Sequence, residues 1–305
     1  MIATFAVHQI RSWRRQRTIL ALLATFMVMT ALAGVLGWSS HRTIVRVYDE
    51  AVALLRDRQK PAPPNPFLLK PTLSLLANMA IYIPLVGALL ALILGHISLV
   101  DDQATGVERL IFTRPVSRRE YFLGKVGAAA AVLAGILAVS FVISAVSLLL
   151  VNEESLTVED FLRLAMFYGL GWLYLMMFAL VGMVTVLLTR RRSLALLTAM
   201  AVWLVLTFVV PQFTSGLAPV ASLNPVTNPV SSSQTFFELT ARARPYSVAE
   251  QYKVASAVIL ETRPSESTFT TIRRVLPIAG LVVLLMLVTA SLVRRHDASK
   301  GIADA

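Results

Sequence analysis

Long uncharged stretches divide the chain. Windows free of Asp, Glu, Lys and Arg run over Thr18–Gly37, Pro71–Val100, Val126–Val151, Leu164–Thr189, Ser193–Val210 and Leu276–Val293. A helix needs about 20 consecutive apolar residues to cross the hydrocarbon core of a bilayer. Each window reaches or approaches that length and is rich in Leu, Ala and Val on every face. A core helix of a soluble domain would keep a polar face, so all-round apolarity predicts membrane spans. Barrel strands are excluded, because they alternate polar and apolar residues over segments of about ten. The spans are expected at about 18–37, 73–100, 121–150, 162–189, 193–210 and 275–293. The fold class is therefore an all-α integral membrane protein, with one transmembrane domain over residues 1–305.

Arg11, Arg14, Arg15 and Arg17 precede the first window as in a signal peptide, and Ala31, Ala33 and Gly34 offer small residues for cleavage. The apolar run is longer than a signal core, so it is read as a retained span. In residues 1–17, Ile2, Ala6, Ile10 and Trp13 share one helical face. Thr4, His8, Arg11 and Arg15 share the other, which suits a helix lying in the interface. A ragged tail is the alternative.

Two segments between windows are long. Residues 38–72 are expected as a loop holding a helix over His41–Asp57, with Ile44, Val47, Ala51 and Leu54 or Leu55 near one face. Pro61, Pro63, Pro64 and Pro66 then impose an extended return. Residues 211–274 form the second, with Ser247-Val248-Ala249-Glu250 capping a helix that ends near Glu261. A shorter segment carries Glu153, Glu154, Glu159 and Asp160. It lacks a calcium loop, and Thr157–Asp160 caps the fourth helix instead.

The stretch 101–120 has two capping boxes, Thr105-Gly106-Val107-Glu108 and Ser117-Arg118-Arg119-Glu120, separated by Pro115. The first predicts a helix of about two turns with Val107, Leu110 and Ile111 on one apolar face; the second opens the third span. A short helix held between two spans is placed to receive a push from a soluble partner. A surface loop whose basic residues attract anionic lipid fits the local physics equally well.

Composition supports the membrane reading. The 305 residues are 56% hydrophobic and 15% charged, with a mean hydropathy of +0.71, where soluble domains are about a quarter charged. The absence of cysteine rules out disulfides, thiolate metal sites and a cysteine nucleophile. The net charge is +11. With both termini cytoplasmic, the inner segments carry +9 of it, including Arg190-Arg191-Arg192, and the outer segments +2. Short inner segments rich in Arg and Lys satisfy the positive-inside rule, so the termini are expected in the cytoplasm. In a soluble protein such charge would suggest nucleic acid. Here it sets topology, and no nucleic-acid partner is expected.

Several chemistries are missing from the sequence. It has no phosphate-binding Gly-x-x-x-x-Gly-Lys-Ser/Thr loop, no His-Glu-x-x-His helix and no Gly-x-Ser-x-Gly elbow. The chain is not expected to be an enzyme by itself, nor to hold a cofactor or metal. No Asp, Glu, Lys or Arg lies deep in a window, which counts against a proton-coupled pathway. His96 is the one titratable group inside a span and is read as a packing residue; Pro84 is expected to kink the second span.

The run Asp101-Asp102-x-x-x-Gly106-Val107-Glu108-x-Leu110-x-x-Thr113-Arg114-Pro115-Val116-Ser117-Arg118, then Gly124-Lys125, resembles the loop after the second span of ABC-2 type permeases. The later Leu223-Asn224-Pro225 is most similar to their NosY-like branch. Val107 stands where that family usually has Thr, and Gln103-Ala104 dilutes its Glu-rich stretch. The resemblance implies a half-transporter, with an interfacial helix, six spans and a coupling helix between the second and third. It also implies a second permease copy or paralogue, and a separate cytoplasmic ATPase that binds ATP and Mg. Thr105, Gly106, Glu108, Arg109, Leu110, Arg114, Arg118 and Arg119 are then the candidates for ATPase contact. The implied setting is the bacterial inner membrane. A non-transporting anchor that docks external proteins, through 211–274 for example, is the second hypothesis.

Overall fold

In the computed structural model, residues 2–58, 72–104, 106–113, 116–151, 156–189, 191–214, 242–262 and 268–295 are described. They form helices and turns, and six helical stretches among them are long and apolar enough to cross a membrane: Ile19–Ser39, Leu73–Gln103, Arg118–Leu150, Val158–Leu188, Arg192–Thr214 and Ile272–Arg294.

α1 (Ile2–Trp13) turns at Arg14–Gln16 into α2 (Arg17–Asp57). The expected loop at Trp38 is not a break. α2 continues through it for 41 residues, about 60 Å. The reason is local, since residues 38–57 contain neither Gly nor Pro and no helix stop precedes Arg58. The second span is composite. A 3-10 turn at Thr72–Leu76 leads into α3 (Met79–Tyr82), a π-turn at Ile83–Gly87 and α4 (Ala88–Ala104). Pro84 sits in the π-turn, where its missing N–H is accommodated by the wider coil.

Beyond the short α5 (Val107–Ile111), α6 (Arg118–Val151) and α7 (Val158–Leu188) form the third and fourth spans. The fifth span is α8 (Arg192–Leu204), a second π-turn at Val205–Val209 and α9 (Val210–Thr214). The Trp203 indole donates to the Pro84 carbonyl at 3.4 Å, so the two π-turned spans meet. A 3-10 turn at Arg244–Tyr246 precedes α10 (Val248–Ile259), and α11 (Thr268–Arg295) closes the bundle.

α4 and α7 make the centre. They touch through backbone: a Cβ on Gly95 would collide with the Ala179 carbonyl, and one on Gly182 with the Leu92 carbonyl. Small residues permit this approach where no hydrophobic drive exists between spans. The fourth span is 78% buried in the bundle and the second 67%, whereas the fifth and sixth are 11% each and present their apolar surface outward. α10 is buried along most of its length against α7 and α11.

Two capping boxes fix where spans begin. Thr157 Oγ1 accepts from the Asp160 N–H at 3.2 Å, and Asp160 accepts from the Thr157 N–H at 2.9 Å. Ser117 and Glu120 do the same at 3.2 and 3.3 Å. Ser247 caps α10 by accepting from the Glu250 N–H at 3.4 Å; Glu250 itself turns to Arg244, 3.6 Å away. The proline run 61–66, Glu153, Glu154, Arg190 and Leu223-Asn224-Pro225 lie outside the described residues.

Candidate coupling site

α1, the segment joining the second and third spans, and the last turn of α11 share one end of the bundle. α4 stops at Ala104, and Gly106 follows with φ +70°, a left-handed value that glycine adopts without cost. α5 then makes little more than one turn, and Thr113 Oγ1 closes it by donating to the Leu110 carbonyl at 2.7 Å.

The apolar face of α5 differs from expectation. Val107 and Ile111 are half-buried against the bundle, whereas Leu110 is 68% exposed. Residues 107 and 111 are i and i+4, so they share a face, and Leu110 lies a full 100° away from Ile111. Leu110 is left as an apolar knob on the outside. Arg118 and Arg119, at the start of α6, are exposed as well. The Arg118 guanidinium lies 5.9 Å from the Phe112 ring centre and donates to the Arg294 carbonyl at 3.4 Å. The connection is thereby tied to α11. Thr105 and Arg114 lie outside the described residues, as do the side chains of Glu108 and Arg109.

Beneath α5 is a buried charge network that the candidate residues did not include. Lys125 is 2% exposed, and its Nζ lies 2.5 Å from Asp102 Oδ2. The Tyr121 hydroxyl donates to the same oxygen at 2.8 Å. Lys125 also donates to Oε1 of the buried Gln9 of α1, and lies over the Tyr121 ring at 5.2 Å. Phe5 and Phe112 meet Tyr121 edge-on at 5.9 and 5.5 Å. Gln16, at the α1–α2 turn, donates to Asp101. Five elements are joined: α1, the root of α2, α4, the end of α5 and α6. Asp102 and Lys125 carry opposite charges at facing ends of consecutive spans, a signal present in the sequence. Gln9 gave no such signal.

Residues 3–297, nearly the whole chain, match the family described as ABC-2 family transporter protein. The chain belongs to the ABC-2 transporter family. No curated protein matches it. For this ABC-2 protein, membership implies a multi-pass permease subunit in lipid and an ATPase partner. The short helix between the second and third spans exposes Leu110 at the basic end of the bundle.

Proposed function

We propose that this permease subunit is driven from its basic end by a separate cytoplasmic ATPase, through α5 and the charge network beneath it. Within the family, the six-span layout and Leu223-Asn224-Pro225 favour the NosY-like branch, and export is the family-level expectation. The observation that carries the reading is the exposed Leu110 on a short helix between α4 and α6, two spans bonded to each other through Tyr121 and Asp102 and to α11 through Arg118. A force on that helix would reach the adjoining ends of α4 and α6 along the chain, and those ends are bonded to α11 and α1. Nucleotide closure of the ATPase would be transmitted as movement of packed helices. The basic end faces the cytoplasm of the bacterial inner membrane, and a second copy or paralogue completes the transporter. The chain binds no nucleotide; ATP and Mg stay with the ATPase.

Reversing charge at Glu108 and Arg109 together tests the reading. In the purified complex, ATP hydrolysis should fall while the unfolding temperature of the permease is unchanged. Full hydrolysis after that change removes α5 from the coupling route.

A second reading has one observation in its favour. α2 runs about 27 Å past the end of its span at Ser39, which suits a scaffold that docks external proteins. Under that reading, truncating residues 41–57 abolishes partner capture and leaves ATP hydrolysis intact.

A further inference from the structure

At the end opposite the coupling site, a crevice of about 710 Å³ opens between α7, α10 and α11. Its walls are apolar: Leu162, Met166 and Leu173 from α7, Ile259 from α10, and Ile272 and Leu276 from α11. Gly169 lines it too, and a Cβ there would meet nothing within 4 Å. Along α7 the crevice runs from Glu159 to Leu173, about 21 Å, which is one leaflet of hydrocarbon plus its head-group layer.

The mouth is polar and carries both signs. Arg163 Nη2 lies 2.6 Å from Glu159 Oε1, and its Nη1 lies 2.6 Å from Glu261 Oε1. Its Nε donates to Glu159 at 3.1 Å. A guanidinium has five N–H donors, and these contacts engage three of them.

Glu261 stands in an unusual place. α10 ends with the Glu261 N–H bonded to the Val258 carbonyl at 3.2 Å and the Thr262 N–H to the Ala257 carbonyl at 2.9 Å. That is a Schellman closure, in which the left-handed residue is usually Gly or Asn. Here it is Glu261, with φ +56°, the one non-glycine residue with positive φ among those described. A conformation unfavourable for a long side chain is retained where that side chain delivers a carboxylate to the crevice mouth.

We infer that this crevice binds an outer-leaflet phospholipid with a zwitterionic, amine-bearing head group. The acyl chain lies along Leu162–Leu173, the phosphate meets the remaining donors of Arg163, and the ammonium meets Glu159 and Glu261. A purely anionic head group would face two carboxylates, and a purely cationic one the guanidinium. The site requires neither nucleotide nor ATPase, so its failure would leave the coupling proposal intact.

The test uses the full-length protein in nonionic detergent with a phosphatidylethanolamine carrying a photoactivatable acyl chain. Adducts should map to residues 162–173 and 272–279. Unlabelled phosphatidylethanolamine should compete about tenfold better than phosphatidylglycerol or diacylglycerol. Gly169→Leu, whose Cβ has nothing within 4 Å and whose side chain occupies the crevice, should cut labelling about tenfold. Glu159→Gln with Glu261→Gln should abolish the preference over phosphatidylglycerol. Glu261→Gly should weaken labelling while raising stability; labelling that survives it makes Glu261 a helix end only and overturns its head-group role. Equal competition by all three lipids, adducts elsewhere, or a cross-link between two copies through this face would overturn the site.

Discussion

Lys125 and Asp102 show how costly a single residue can be in this chain. A buried ion pair contributes little net stability, yet removing one partner strands a charge at a cost of about 3–5 kcal/mol. Lys125→Met should therefore destabilise the protein by about that much, and adding Asp102→Asn should restore a large part. Unfolding of the single and double variants, compared in one detergent, measures the difference. At Glu261 two terms oppose. Glycine holds the left-handed conformation without the strain of about 1–2 kcal/mol, and losing the partly exposed Arg163 pair costs under about 1. Glu261→Gly should thus be more stable by about 0.5–1 kcal/mol in lipid-free detergent, measured by thermal unfolding. Residue-level features differ in how openly the sequence displays them. The caps at Thr157 and Ser117 were readable because donor and acceptor lie three positions apart. The Lys125–Gln9 bond was not, because it joins residues 116 apart and depends on where α1 docks. Leu110 was assigned to the wrong face because a five-residue helix offers too few positions to define one.

Helices were easier to read than their joints. Membrane spans follow from uncharged length alone, and the described residues hold six helical stretches long and apolar enough to cross a membrane. Which spans would be central was not written in hydropathy, since the fourth and fifth are similarly apolar at 2.1 and 2.4 and differ greatly in burial. The α4–α7 contact decides it through Gly95 and Gly182. Gly95→Leu or Gly182→Leu should push the two helices apart and prevent assembly. Gly127→Ala, in open space on α6, should be neutral or stabilising by up to about 1 kcal/mol. Yield and thermal stability of the three variants would separate close packing from helix propensity. Ser117→Ala should cost about 1 kcal/mol by removing the cap of α6, read in the same assay.

For the molecule as a whole, the absence of cysteine is an advantage, because any introduced thiol is unique. Leu110 and Val158 are 68% and 87% exposed at opposite ends of the bundle. In intact cells, an impermeant maleimide should label Val158→Cys and spare Leu110→Cys until the membrane is opened. The reverse pattern would invert the orientation assigned from the arginines.

α2 gives the molecule a lever arm. It leans on the bundle through Thr30, 3.3 Å from Ser140, and through Gly34 and Gly37, against Ser147 and the Leu75 carbonyl, so the projecting arm begins near Ser39 and its tip at Asp57 is about 27 Å further on. A tilt of about 5° there would swing the tip by about 2 Å. Small movements of the packed half of α2 would thus arrive enlarged at Asp57.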